Sequence, residues 1–168
     1  MATMKAAGAA NKADAASLEG APAPDFTLMA DDGAEVSLAD FSGKKLVLYF
    51  YPKDNTPGCT REACAFQEEL GKLRKKGAIV VGVSRDSPTT HVGFKQKHGL
   101  TFPLLSDPTT RVHKAYGAWG KKTLYGKTVE GALRTTFVID GKGIVRKVFP
   151  SVKVDGHADA VMAALGEL

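Results

Sequence analysis

Lys45-Leu46-Val47-Leu48-Tyr49-Phe50-Tyr51 is an unbroken run of aliphatic and aromatic residues behind a single lysine. It has strand length and no polar alternation, which suits a strand covered on both faces. Downstream, Ala63, Phe66, Leu70 and Leu73 recur at helical spacings and are followed by Lys75, Lys76 and Gly77, a C-terminal stop signal. Ala78–Ser84 (AIVVGVS) then forms a second buried strand. Strand, helix and strand in this order make a βαβ unit, so the two strands should lie parallel. The fold class is therefore α/β.

Working outward, Phe26–Met29 and Glu35–Leu38 read as a short N-terminal hairpin across Asp31-Asp32-Gly33. Toward the C-terminus, Thr89–His98 reads as a helix opened by Ser87-Pro88, Phe102–Leu105 as a strand and Thr109–Tyr116 as a short helix. Thr136–Asp140 and Ile144–Phe149 read as two strands hinged at Gly141-Lys142-Gly143, and Ala158–Leu165 as a closing helix. The sum is an α/β sandwich with a mixed central sheet flanked by helices. Residues 20–168 contain no linker and no internal repeat, and read as one domain. Residues 1–19 are alanine-rich, without aromatic or β-branched apolar side chains beyond Thr3, and read as a loose tail. This stretch lacks the apolar core of about 7–15 residues of a secretory signal, has no arginine, and carries Asp14 and Glu19, unlike a transit peptide. A cytoplasmic protein is the expectation.

The chain has 168 residues, 43% hydrophobic and 24% charged, the composition of an ordinary globular domain. That length buries roughly two-thirds of the unfolded chain's surface, so no disulfide or metal is needed to hold a core. No apolar run approaches the ~20 residues of a membrane span. The formal net charge of +5 is spread along the chain without an RNA-binding aromatic motif, so a solvated basic surface is the reading and nucleic-acid binding is not expected. His91, His98, His113 and His157 show no metal-ligand spacing, and no metal or cofactor is assigned.

Two cysteines, Cys59 and Cys64, are the whole complement, which points to chemistry in one segment rather than to a disulfide scaffold. That segment lies where the first buried strand gives way to a helix, at the carboxyl edge of the sheet, where α/β folds place ligands. Thr56-Pro57 is a helix-start signature, a hydroxyl N-cap followed by Pro at the first helical position. Cys59 then occupies the third helical position, and the amides of Gly58, Cys59 and Thr60 are among the unpaired donors. The positive helix end should lower the Cys59 pKa, and the same donors can hold an oxygen atom beside the sulfur. The competing reading is a pair of small buried cysteines packing as modest hydrophobes. On an intact helix a separation of five residues gives ~7.5 Å of rise and ~140° of rotation, so the two Cα atoms stand ~8.7 Å apart. Disulfides rarely tolerate more than ~7 Å, so pairing requires the first turns of the helix to unwind.

Pro52-Lys53-Asp54-Asn55-Thr56-Pro57-Gly58-Cys59-Thr60 resembles the Pro-x-x-x-Thr-x-x-Cys signature of peroxiredoxins, and Cys64 in the same helix is similar to the peroxiredoxin Q, or bacterioferritin comigratory protein, branch. Ala23-Pro24-Asp25-Phe26, Leu105-Ser106-Asp107, Gly117-Ala118-Trp119-Gly120 and Arg134–Asp140 follow in the order the family expects, so the resemblance covers about Gly20 to Leu168. It implies a thioredoxin-like sandwich. It also implies a thiol-dependent peroxidase that reduces hydrogen peroxide and organic hydroperoxides and is recycled by thioredoxin or a similar dithiol. Cys59 would be the peroxidatic nucleophile and Cys64 the resolving cysteine, with an intramolecular disulfide between them. Thr56 would hydrogen-bond the peroxide oxygen and the sulfur, Pro52 would shield the sulfur from water, and Arg134 would stabilise thiolate and transition state. Taken alone, Arg134 reads as a solvated strand-end residue, and Glu62 is open between orienting an arginine and lying exposed on its helix. With no cysteine after Cys64, a disulfide-linked dimer is not expected; a monomer is the expectation, and a non-covalent dimer stays open. The alternative function is a redox-sensing or chaperone-like dithiol switch. Thioredoxin-type exchange is disfavoured because the spacing is C-x₄-C rather than C-x-x-C.

Overall fold

The computed structural model describes residues 14–168. In chain order the elements are β1 (Thr27–Ala30), β2 (Glu35–Ser37), β3 (Lys45–Phe50), α1 (Pro57–Glu68), α2 (Leu70–Lys75), β4 (Ala78–Ser84), α3 (Pro88–His98), β5 (Leu104–Ser106), α4 (Arg111–Ala115), β6 (Trp119–Leu124), β7 (Lys127–Ala132), β8 (Thr135–Ile139), β9 (Val145–Phe149) and α5 (His157–Gly166). Seven strands form one mixed sheet in the order β2-β1-β5-β4-β3-β8-β9. The βαβ expectation holds, since β3 and β4 are parallel from Lys45↔Ala78 to Phe50↔Val83, and β5 extends the parallel set. The strands β1, β8 and β9 run antiparallel to their neighbours and make the sheet mixed.

The unbroken apolar run of β3 is explained by its position at the centre of the sheet. Leu46, Leu48 and Phe50 enter one core with Phe26, Val83, Tyr116 and Phe137, while Val47, Tyr49 and the following Tyr51 enter the other with Phe66, Leu73, Phe94 and Val161. Successive side chains of a strand point to opposite faces, so a strand with two covers must be apolar at every position. Gly82 lies opposite Tyr49 in the ladder. A Cβ there would sit 2.9 Å from Leu104 Cδ2 and 3.0 Å from Tyr49 Cζ, so the glycine makes room for the tyrosine ring.

Three expectations change. The single helix read through Leu73 is broken at Glu69 (φ −96°, ψ 4°) into α1 and α2, an arrangement in which Leu70 and Leu73 are both buried. The expected tail lies largely outside the described residues, but its last part is packed: Ala15–Leu18 form a 3-10 turn, Ala15 is buried, and Glu19 Oε2 accepts the Val148 amide at 3.0 Å. The hairpin β6–β7 was not expected. Its turn residues Tyr125 and Gly126 both have left-handed backbone (φ 52° and 78°). The hairpin is anchored by Trp119, whose ring has the Arg85 guanidinium at 5.4 Å, Lys114 Nζ at 5.9 Å and the edge of His113 at 6.0 Å.

Candidate functional site

Cys59 is placed by the end of β3 and the start of α1. The chain leaves the sheet at Phe50, turns through residues 51–56 and enters the helix at Pro57, with Thr56 as N-cap (φ −90°, ψ 153°). Pro at the first helical position has no N–H to leave unpaired and a φ already suited to a helix. The expectation for Thr60 is corrected: its amide donates to the Thr56 carbonyl at 2.8 Å, because it is the first residue able to close a full helical turn. Gly58 and Cys59 keep amides without an acceptor among the described residues. The Thr56 hydroxyl caps neither; it donates to the Lys53 carbonyl at 2.8 Å.

Arg134 comes from a distant part of the chain. The antiparallel register pairs Phe50 with Thr135, so the residue before β8 arrives at the edge where β3 ends. The hairpin β6–β7 delivers it there, with the Leu133 amide donating to the Ala118 carbonyl at 2.8 Å. The guanidinium then makes two bonds: Nη2 donates to Cys59 Sγ at 3.3 Å and Nη1 donates to Glu62 Oε1 at 2.7 Å. A Cβ on Gly58 would lie 3.1 Å from Arg134 Nη2, so the bare backbone leaves the guanidinium its approach to the sulfur. Cys59 is 1% exposed and belongs to the buried cluster that also holds Tyr49, Tyr51, Ala63 and Phe66.

Glu62, open in the sequence between facing an arginine and lying exposed, is buried against Arg134. It lies three positions after Cys59 on the same helix face, its side chain 1% exposed, and faces Arg134. Burial pushes its carboxyl up to about 7 against the opposing pull of the guanidinium, and Oε2 has no partner. The proton is therefore held more tightly in the folded chain than in the unfolded one, and Glu62 stabilises the fold less as pH rises from about 4.5 to about 7. His157, which burial holds down at about 4, acts oppositely, favouring the fold less as pH falls below its ordinary value. Comparison with Glu62→Gln separates the two. By denaturant titration, the stability of wild type relative to Glu62→Gln should fall by a few kcal/mol between about pH 5 and about pH 8.

Pro52 is half-buried directly after the buried Tyr51. Cys64 sits on the unbroken helix α1 with Cys59; it is half-buried, and both thiols are free. Burial and the nearby Glu68 push the Cys64 thiol up. The structure thus brings Cys59, Arg134 and Glu62 into contact, with Thr56 and Pro52 in the adjoining turn and Cys64 held apart by the helix.

The histidines change the picture in one respect. His91, together with Asp54 and Asp86, forms a group of potential metal ligands whose atoms lie within 4.8 Å of one another, a cluster that spacing along the chain does not reveal. Its atoms are already paired. His91 Nδ1 and Asp54 Oδ2 are 2.6 Å apart, and Asp86 Oδ2 accepts from the Asp54 amide and from Ser84 Oγ. Two ligands sharing a zinc ion at ~2.0–2.1 Å stand about 3.3 Å apart, so the short distance is that of a hydrogen bond rather than of a cation cradle.

Comparison with known proteins agrees with this geometry. Residues 20–148 match the model of the AhpC/TSA family. The chain is 50% identical over 146 residues to a putative peroxiredoxin bcp of Coxiella burnetii, covering 87% of this chain and 97% of that protein. It is 42% identical over 145 residues to peroxiredoxin Bcp of Escherichia coli, covering 86% and 93%. Among solved structures, Xanthomonas campestris bacterioferritin comigratory protein, studied for its alkyl peroxide reduction activity, superposes with a TM-score of 0.80 at 43% identity, covering 84% of this chain and 90% of that one. With a thioredoxin-like sheet, a cysteine at a helix start and an arginine on its sulfur, the chain belongs to the AhpC/TSA family and is a thiol peroxidase of the peroxiredoxin Bcp, or peroxiredoxin Q, kind.

Proposed function

We propose that Cys59 is the peroxidatic cysteine and Cys64 the resolving cysteine of a monomeric cytoplasmic peroxidase acting on hydrogen peroxide and organic hydroperoxides. The observation that carries this reading is the Arg134 guanidinium bonded at once to Cys59 Sγ and Glu62. It faces a helix start with two free amides. The Cys59 thiolate attacks one oxygen of the O–O bond. That oxygen remains on sulfur as a sulfenic acid, and the other leaves with the electron pair and takes a proton to become water or an alcohol. Charge on the departing oxygen meets donors already in place, Arg134 and the amides of Gly58 and Cys59. The Thr56 hydroxyl, oriented by its bond to Lys53, presents its oxygen to a peroxide O–H. Pro52 covers the approach from bulk water.

The first turns of the helix then unwind, since an intact helix holds the two Cα atoms ~8.7 Å apart. The Cys64 sulfur attacks the sulfenate, water leaves, and an intramolecular disulfide forms. Thioredoxin or a similar dithiol reduces it by exchange and restores both thiols. Sulfur carries both electrons, so no cofactor takes part in this scheme. Mass spectrometry of protein treated with one equivalent of peroxide should find a Cys59–Cys64 disulfide, with the loss of two hydrogens. The Cys64→Ser protein should stop at the sulfenic acid and fail to cycle with the dithiol. Free thiols persisting under peroxide, or cycling without Cys64, would overturn the assignment.

A further inference from the structure

Behind the peroxidatic segment lies a buried titratable group that the reaction scheme does not use. His91, in α3, is fully buried. Its Nδ1 is 2.6 Å from Asp54 Oδ2 and its Nε2 is 3.0 Å from the Leu105 carbonyl. The carbonyl is an acceptor only, and so is an ionised carboxylate. Satisfying both ends requires two protons on the pair: an imidazolium facing a carboxylate, or an Nε2–H imidazole facing a carboxylic acid. Asp54 Oδ1 already accepts the Tyr51 hydroxyl at 2.6 Å, so in either form the second proton lies in the His91–Asp54 bond.

Asp54 is also held through its backbone, its amide donating to Asp86 Oδ2 at 2.8 Å. The end of β3, the turn after β4 and the helix α3 thus converge on this one residue. The next residue, Asn55, has φ 64°, a left-handed conformation that asparagine adopts more readily than other non-glycine residues and that fixes the direction of the turn. The residue after that, Thr56, is the N-cap of the helix that presents Cys59.

We propose that His91 is a positioning residue of the peroxidatic site, clamping Asp54 through a shared buried proton and so setting the turn of residues 52–56 from which the Cys59 helix starts. The inference rests on the reading of Cys59 as the peroxidatic sulfur. The Tyr51 hydroxyl, the two aspartates, the Leu105 carbonyl and the Ser84 hydroxyl on Asp86 are the polar groups engaged in the clamp among the described residues. A glutamine at position 91 cannot donate at both ends. An asparagine at position 54 can keep every bond: its oxygen accepts from Tyr51, and its amide donates to a neutral imidazole whose Nε2–H still serves Leu105.

The test uses single-turnover kinetics in Cys64→Ser protein, where Cys59 is the one thiol. Misplacement of reactive groups by as little as ~1 Å can cost about 100-fold in rate, so His91→Gln should slow sulfenic acid formation with hydrogen peroxide by at least about 10-fold. Alkylation of Cys59 by iodoacetamide needs no aligned O–O bond, and its rate should stay within about 3-fold. Asp54→Ala should repeat the His91→Gln pattern, and Asp54→Asn should rescue most of the loss. Proton NMR should find a downfield hydrogen-bonded proton that is missing from both His91→Gln and Asp54→Ala. If His91→Gln does not fold, the Asp54→Ala and Asp54→Asn pair decides alone. Wild-type peroxide rates in His91→Gln or Asp54→Ala, or peroxide and alkylation rates falling together, overturn the proposal. A Cys64→Ser parent inert to peroxide overturns the assignment of Cys59 as well, whereas a reactive parent with an unaffected His91→Gln overturns the clamp alone.

Discussion

Peroxide turnover in Cys59→Ser should fall on the order of 10⁴-fold or more, because deleting a covalent nucleophile leaves only binding and electrostatic donors behind. The remaining thiol is poorly placed to substitute. Burial and the nearby Glu68 hold the Cys64 proton on. The substitution puts a hydroxyl in the buried cluster that also holds Tyr49, Ala63 and Phe66, at a cost of about 1–2 kcal/mol, so the protein should remain folded. Coupled assays with a dithiol reductant, alongside circular dichroism, separate lost chemistry from lost fold. Turnover surviving in Cys59→Ser would move the reaction to Cys64.

Arg134→Met should lower the second-order rate constant for peroxide by about 100- to 1,000-fold, the range seen when one preorganised donor to a developing oxyanion is removed. The guanidinium donates to the Cys59 sulfur, and in the proposed reaction it also meets the leaving oxygen, so the substitution would remove the cation from both. A second consequence is thermodynamic. Glu62, 1% exposed, is left without its ion partner, and the variant should lose about 2 kcal/mol of stability above neutral pH, where the orphaned carboxylate is most unfavourable. The double variant Arg134→Met with Glu62→Gln should recover stability, since the carboxylate is gone, while the rate stays low. Stopped-flow oxidation and denaturant titration on the same preparations would reveal this split. Recovery of rate together with stability would show that Arg134 acts only by holding the fold.

The parts of the fold legible in the chain are those whose burial is dictated by local pattern. The runs in β3 and β4 are apolar at every position because both faces are covered, and Ala78–Ser84 was read with its observed bounds. Ser87-Pro88 and Thr56-Pro57 mark helix starts through backbone chemistry that needs no partner. The β6–β7 hairpin carries no such pattern. Lys121, Lys122 and Lys127 dominate it, its Tyr-Gly turn lacks the common Asn or Asp, and Trp119 holds it by contacts with Arg85, Lys114 and His113 from other elements.

Within the site, the same division applies. The segment Pro52–Cys59 lies in one turn and one helix start, so spacing alone places Cys59 at the third helical position. The Thr60 amide is paired rather than free because its acceptor, the Thr56 carbonyl, comes into reach once the first helical turn closes. Arg134 in isolation reads as a solvated strand end; the Phe50↔Thr135 register is what returns it to the cysteine. His91, Asp54 and Asp86 lie on separate segments, and no local period links them.

By itself, then, the chain determined the buried parallel strands, the helix bearing both cysteines and the kind of chemistry they can do. These follow from backbone geometry and from which residues tolerate two-sided burial. Tertiary structure alone decided which cation meets the Cys59 sulfur, that Glu62 is buried rather than exposed, and that His91 bonds Asp54 in the turn before the Cys59 helix. Those contacts span 72, 75 and 37 residues of sequence, and only antiparallel return and helix packing bring such distant groups within hydrogen-bonding reach.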